Sequence, residues 1–240
     1  MADSRNAAGK NSPVEKVLHM TAKPGRYIPA LSFRWLTPLY DPVLKWVMKE
    51  YAFKRRLIAQ AAVHNGQHIL DLGCGTGTLT LMIKSIYPKA EVTGMDGDPE
   101  VLAIAKAKAK QAGLAITWDH GLATKLPYPD GSFDRILSSL MTHHLTRDQK
   151  RSAFAEVLRV LQPGGEFHIV DFGLPHTLAM RGIALVLKRM EEASDNFAGF
   201  LPGYLTQAGF SQVAEIGFLP TMLGQMTFYR AVKPGMGGEK

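Results

Sequence analysis

The stretch "ILDLGCGTGTLT", residues 69–80, runs an apolar, strand-like segment into Gly73, Gly75 and Gly77 at alternate positions. The helix-like "TLTLMIKSIY" follows directly. A glycine turn between strand and helix lets backbone approach a ligand closely, because glycine has no Cβ and tolerates positive φ. The dinucleotide fingerprint is G-x-G-x-x-G. Here the spacing is G-x-G-x-G, with Thr78 where a third glycine would fall. An NAD(P) site, a purely structural turn and a different nucleoside cofactor all remain open on this stretch alone.

Working outward, strands and helices alternate from His68 onward. "HILDLG", "EVTGMD", "AITWDH", "FDRILSSL" and "EFHIVDFG" read as strands. Between them, "DPEVLAIAKAKAKQAG" reads as a helix with Asp98 as cap, Pro99 at its first position and Gly113 at its stop. "TRDQKRSAFAEVLRVL" reads as another, closed by "QPGG". Residues 177–194 and 200–208 read as helices, and "SQVAEIGFL" and "QMTFYRAV" as two closing strands. Upstream, "DPVLKWVMKEYAF" predicts a helix capped by Asp41. Such alternation specifies a parallel sheet with helices on both faces. Ligands then sit at the carboxyl ends of the strands, where Gly73–Gly77 falls.

The chain has 240 residues, 46% of them hydrophobic, enough for one sizeable core. No apolar run approaches the ~18 residues of a membrane span. The polar start "MADSRNAAGKNSP" does not read as a secretory signal. Cys74 is the single cysteine, which excludes an intrachain disulfide and fits a cytoplasmic setting. The formal charge of +7 resides in residues 1–60, with eleven Lys/Arg against four Asp/Glu. A solvated basic face and attraction to an anionic surface both account for it. Nucleic acid is disfavoured, since no zinc spacing, aromatic RNA-stacking motif or basic reading helix is present. No cluster has metal-ligand spacing, and no G-x-S-x-G elbow points to a covalent hydrolase.

Three further features narrow the reading. Asp96 ends the second strand, where a carboxylate can accept ribose hydroxyls. "LPYPDGSFDRILSS" places a tight turn before the fourth strand, and "RVLQPGGEFHIVD" a Gly-Gly turn before the fifth. With "LDLGCGTG", "GMD" and "THHL" in the same order and spacing, the chain resembles class I S-adenosylmethionine-dependent methyltransferases. Within them it is similar to the ubiquinone/menaquinone-biosynthesis (type 11) family, over roughly residues 27–233. The resemblance implies an α/β, Rossmann-like, seven-stranded, mostly parallel sheet with an N-terminal helical lid. It divides the chain into a tail (1–20), a lid (21–62), the methyltransferase domain (63–233) and a second tail (234–240).

The resemblance also implies the cofactor, S-adenosyl-L-methionine. Gly73, Cys74, Gly75, Thr76 and Gly77 would wrap its methionine part, with Asp71 near the cationic amino group. Asp96 and Gly97 would hold the ribose, and Ser139 would close over the cofactor. The family usually has Asp or Asn before the alanine that follows the third strand. This chain has Leu122 before Ala123, so adenine would be held by stacking and by backbone, with Asp119 or His120 as substitutes. Cys74 as a nucleophile is disfavoured, because small residues are routine in such a turn.

Methyl transfer from a sulfonium needs mainly alignment and a dry pocket. Tyr27, Tyr40, His143 and His176 are the substrate-pocket candidates, the tyrosines as lid residues. No catalytic residue is assigned. Three functions follow: methylation of a small, hydrophobic, quinol- or phenol-like acceptor; N-methylation of a phospholipid amine at a membrane surface; and non-catalytic cofactor binding. The partner expected is a small molecule, with weak peripheral membrane contact through the basic N-terminal segment.

Overall fold

The computed structural model describes residues 50–176, 194–221 and 224–235. The chain order is α1 (Glu50–Ala61), β1 (His68–Leu72), α2 (Thr78–Ile86), β2 (Glu91–Asp96), α3 (Pro99–Ala112), β3 (Thr117–His120) and β4 (Phe133–Ser139). A 3-10 turn (Thr142–His144) leads to α4 (Arg147–Val160), β5 (Leu161–Phe172), α5 (Ser194–Phe197), α6 (Leu201–Ala208), β6 (Ser211–Thr221) and β7 (Gly224–Val232). The expected helix start at Asp41 lies outside the described residues, as does the helix expected over 177–194 except for Ser194, which begins α5.

The sheet runs β3-β2-β1-β4-β5-β7-β6. β1 to β5 pair in parallel, whereas β7 lies antiparallel between β5 and β6. Neighbours along a central strand face opposite cores. Leu70, Ile136, Ile169 and Tyr229 pack with Phe154, Val157, Leu201 and Leu205 of α4 and α6. Ile69, Leu137, Val170 and Phe228 pack with Phe53, Leu57, Ile58 and Ile83 of α1 and α2. Burial on both faces is what makes these strands near-continuous apolar runs.

Local signals set the helix ends. Asp98 accepts from the Glu100 N–H at 2.8 Å, and Gly113 closes α3 at φ 67°. Thr146 and Gln149 form a reciprocal capping box on α4, which satisfies two otherwise orphaned N–H groups. β5 starts at Leu161, earlier than the expected Glu166, because Gln162–Gly165 continues the strand past an irregularity opposite Phe133–Arg135.

One expectation about charge changes here. Lys54 does not belong to a solvated basic face: it is 6% exposed and ion-paired with buried Glu50. It falls on the stripe of Phe53, Leu57, Ile58 and Ala61.

Candidate active site

The carboxyl ends of β1, β2 and β3 converge on the glycine turn. The N–H groups of Gly73 and Cys74 both donate to Met95 O, at 2.9 and 3.0 Å, which ties the turn to β2. The Gly121 N–H donates to Asp96 O at 3.0 Å, which ties the β3 loop to the same place. The three glycines have φ of 73°, 53° and 80°, but they serve different ends. A Cβ on Gly73 would collide with the Met141 side chain. A Cβ on Gly77 would lie 2.7 Å from the Trp118 ring and 2.9 Å from Ala105. Only Gly75 faces open space, with nothing within 4 Å of its Cβ position. Close approach to a ligand therefore falls to Gly75, while Gly73 and Gly77 make room for protein.

Asp71 lies fully buried at the end of β1. The Thr80 hydroxyl donates to its Oδ2 at 2.6 Å, and its Oδ1 is buried with no partner. Burial pushes its pKa up to about 6, against the opposing pull of Thr80 and Lys54. Asp96 accepts from the Gly75 N–H at 2.8 Å and the Asp98 N–H at 2.9 Å. Burial raises its pKa as well, opposed by those backbone donors. Cys74 is 5% exposed, and its sulfur packs against the Gly94 position, so its backbone alone is available to the turn. Burial raises its thiol pKa well above the ordinary value, the opposite of an activated nucleophile. Thr76 is buried at the head of the turn.

The β3 loop departs from expectation. The Tyr128 hydroxyl donates to Asp119 Oδ2 at 2.9 Å, and His120 Nε2 donates to Gly97 O at 3.1 Å. Both proposed substitutes for the missing acceptor thus have partners inside the fold. Leu122 is 42% exposed, bridged to Lys125, and Ala123 is half-buried against the core.

Past β4 the chain turns sharply at Leu140, a non-glycine residue at φ 56°. Ser139 lies half-buried at the strand end, and the buried Ser138 hydroxyl has no partner. The turn brings Met141 onto Gly73 and buries His143, whose Nδ1 lies 2.7 Å from Asp171 Oδ1 at the end of β5. The His143 ring meets Phe172 at 5.0 Å, and Phe172 meets Phe197 at 5.2 Å. Exposed Leu174 and Phe200 belong to the segments that continue from these residues. His176 is placed elsewhere. It bonds Glu215 at 3.1 Å and stacks on Phe218 of the edge strand β6. That strand is four removed from β1, about 19 Å at the usual inter-strand spacing. Tyr27 and Tyr40 lie outside the described residues. Sequence reasoning missed Asp171, Thr142 and Asn196. Among the described residues no group of side chains could hold a metal ion. A recess of about 360 Å³, lined by His68, Lys84, Glu91 and Thr117 among others, lies at the opposite, amino ends of the strands.

Known proteins are similar to this chain in sequence and in fold. A methyltransferase-domain family profile matches residues 69–165. An uncharacterized methyltransferase of Synechocystis sp. is 35% identical over 69% of this chain and 77% of its own length. The chain belongs to the class I S-adenosylmethionine-dependent methyltransferases. A demethylmenaquinone methyltransferase of Thermus thermophilus is 36% identical over 60% of the chain, and the match spans 65% of that protein, just under two thirds. One of Deinococcus radiodurans is 29% identical over 86% of the chain and 88% of its own length. The crystal structure of the [4+2]-cyclase SpnF superposes with a TM-score of 0.62 at 19% identity, covering 77% of this chain and 80% of that one. Fold likeness at that identity speaks for architecture alone.

The site fits the cofactor of this methyltransferase on two counts. The unpartnered Asp71 Oδ1 supplies a buried acceptor for a cationic amino group, and Gly75 leaves space where a side chain would intrude. Among the described residues no helix is long and apolar enough to cross a membrane.

Proposed function

We propose that this enzyme transfers a methyl group from S-adenosylmethionine to a small, apolar, quinol- or phenol-like acceptor. The observation that carries the reading is the ring cluster of His143, Phe172 and Phe197, which follows the turn where Met141 meets Gly73. Edge-on and tilted aromatic rings suit a flat apolar acceptor, and an apolar lining excludes the water that would compete for the methyl group. The names of the Thermus and Deinococcus relatives support the same acceptor class.

In this reading S-adenosylmethionine supplies an electrophilic methyl carbon on a cationic sulfur, which departs as a neutral thioether. The chain supplies binding and aim. Asp71 takes the cofactor's amino group, and the 73–77 turn cradles its methionine part. Asp96 accepts the ribose hydroxyls with the lone pairs its backbone donors leave, next to Gly97. Leu122 lies against adenine as an apolar slab, with the Ala123 backbone beside it. Ser139 closes the cofactor's other side. In this reading the part of the 21–62 segment ahead of α1 covers the acceptor and contributes Tyr27 and Tyr40, while α1 itself packs in the core. The segment's basic residues, Lys45, Lys49 and Arg55 among them, give weak salt-sensitive contact with anionic membranes, from which an apolar acceptor could be drawn.

The deciding experiment measures S-adenosylhomocysteine release against a panel of quinols, phenols and phospholipid amines. Turnover confined to quinols or phenols is expected. Turnover of a lipid amine alone, or cofactor binding with no turnover of any acceptor, would overturn the reading.

A further inference from the structure

α1 carries two buried charges toward the strand ends that hold the glycine turn. The helix runs antiparallel to β1, and its contacts climb the sheet in reverse sequence order. Arg135, which pairs with Ile69 near the amino end of β1, donates from Nε to Ala61 O at 3.1 Å. Gln60 donates to Tyr229 O at 2.9 Å, and Arg56 lies 4.4 Å over the Phe228 ring. Tyr229 and Phe228 pair with Ile169 and Val170 in the carboxyl half of β5. Lys54 and Glu50 come next, about 3 and 9 Å beyond Arg56 at the helical rise. Phe53 and Leu57, beside Lys54, pack on Ile69. Asp71 stands two residues after Ile69 and so on the same face of β1.

The pair that Lys54 and Glu50 form is incomplete. They are 6% and 1% exposed. Lys54 Nζ donates to Glu50 Oε1, and Glu50 is its one acceptor among the described residues. An ammonium carries three N–H groups, so two are left over. Glu50 Oε2 is buried with no partner, and so is Asp71 Oδ1. A buried ion pair is costly unless its remaining protons and lone pairs are filled. Burial raises the pKa of Asp71 and of Cys74, and the Lys54 ammonium opposes both rises; at Asp71 it is the foremost charge acting. Its field therefore reaches the glycine turn, yet it does not fill Asp71 Oδ1.

We propose that Lys54 binds the carboxylate of the cofactor's methionine part. This rests on Asp71 taking the cofactor's amino group, as above. An α-amino acid holds an ammonium and a carboxylate on one carbon, and so offers a donor and an acceptor to neighbouring partners. Here a buried carboxylate with an open oxygen stands near a buried ammonium with open N–H groups. The two do not satisfy each other, and a zwitterion satisfies both. Glu50 holds Lys54 Nζ in the core while the site is empty. Docking α1 needs neither charge. Phe53, Leu57, Ile58 and Ala61 already bury one face of the helix, and apolar residues in place of the pair would dock it without the cost of desolvating two ions.

The test is calorimetry on the full chain at pH 8, where Asp71 is ionised. Three ligands share the adenosine and differ beyond it. S-adenosylhomocysteine carries both charged groups, its decarboxylated analogue keeps the amine alone, and 5′-methylthioadenosine has neither. Lys54→Met should weaken S-adenosylhomocysteine at least ~10-fold, leave 5′-methylthioadenosine unchanged, and bind the amine analogue no more weakly than wild type does. Because Lys54→Met strands a buried carboxylate, Glu50→Leu/Lys54→Met is measured beside it. The double variant should show the same selective loss, with an unliganded Tm no lower than wild type. Asp71→Asn should weaken S-adenosylhomocysteine and the amine analogue, but not 5′-methylthioadenosine. Wild-type affinity for S-adenosylhomocysteine in the double variant would overturn the proposal. So would a loss equal for all three ligands, which marks a purely structural pair. If Asp71→Asn itself binds S-adenosylhomocysteine as wild type does, the Asp71 reading falls and the proposal with it. If Asp71→Asn behaves as expected and the Lys54 variants do not, the proposal alone falls.

Discussion

Replacing Asp71 with Asn should stabilise the protein without cofactor and weaken it with cofactor. The carboxyl is fully buried, has one hydroxyl donor on Oδ2 and none on Oδ1. Its pKa rises from 3.8 to about 6, chiefly through burial. At about 1.4 kcal/mol per pH unit of displacement, keeping it ionised costs the folded state about 3 kcal/mol. The folded pKa lies above the unfolded one, so the folded state takes up the proton first as pH falls. The penalty is therefore fully present above pH ~6 and gone below pH ~4. Asn removes the charge and keeps an acceptor for Thr80, but leaves its NH2 group without an acceptor, which costs about 1 kcal/mol. A net gain of about 2 kcal/mol at pH 7–8 corresponds to a Tm higher by about 4–8 °C in a domain of this size. Paired thermal melts from pH 4 to 8, without ligand, should show the difference growing with pH. With saturating S-adenosylmethionine the order should reverse, because the cofactor's amino group compensates the wild-type carboxylate alone. An unliganded variant less stable than wild type at pH 8, or a difference that ignores pH, would refute the argument.

Three further substitutions probe the same region. Gly75→Ala adds a Cβ that meets no protein atom within 4 Å, at φ 53°; stability should fall by only about 1–2 kcal/mol, while calorimetry should show at least tenfold weaker cofactor binding. Gly94→Ala places a Cβ 2.5 Å from the Trp118 ring and 3.2 Å from the Cys74 sulfur, so denaturant melts should lose about 1–3 kcal/mol, and adding Trp118→Leu should recover part of it. Leu122→Asp restores the family's usual acceptor on an exposed side chain; cofactor affinity should hold or improve, and a marked loss would mean the loop has been rebuilt around an apolar contact.

Much of the fold was legible because local signals agreed with the global pattern. Asp98, Pro99 and Gly113 frame α3 as their chemistry dictates. The Thr146–Gln149 capping box frames α4. The glycine turn between β1 and α2 was legible, but not which of its glycines leaves open space. That assignment depends on Met141, 68 residues from Gly73, and on Trp118, 41 residues from Gly77 in sequence. The same distance hid Asp171. Its partners lie 28 residues upstream at His143 and, through Thr142, 54 residues from Asn196. Nothing in "HIVDFG" separates that carboxylate from a solvated strand end. Lys54 was legible in principle, since it repeats with Leu57, Ile58 and Ala61 on one helical face. Reading charge by counting, without asking which face each residue occupies, concealed it.

The order of the sheet has a consequence for how this enzyme can diversify. The turn, Asp96 and the β3 loop occupy one flank, β3-β2-β1, and are encoded before residue 126. His143, Asp171, Phe172 and Phe197 occupy the other flank, around β4 and β5, and are encoded after residue 132. Beyond β5 the antiparallel β6–β7 hairpin ends the sheet without contributing to the first flank. If the acceptor lies as proposed, mutations can accumulate in the second half of the chain and reshape its surroundings while the first half stays under separate constraint. The two flanks meet along the β1–β4 pairing and, at its carboxyl end, where Met141 rests on Gly73. A lineage exploring new acceptors would keep that pair fixed and vary what lies downstream of it.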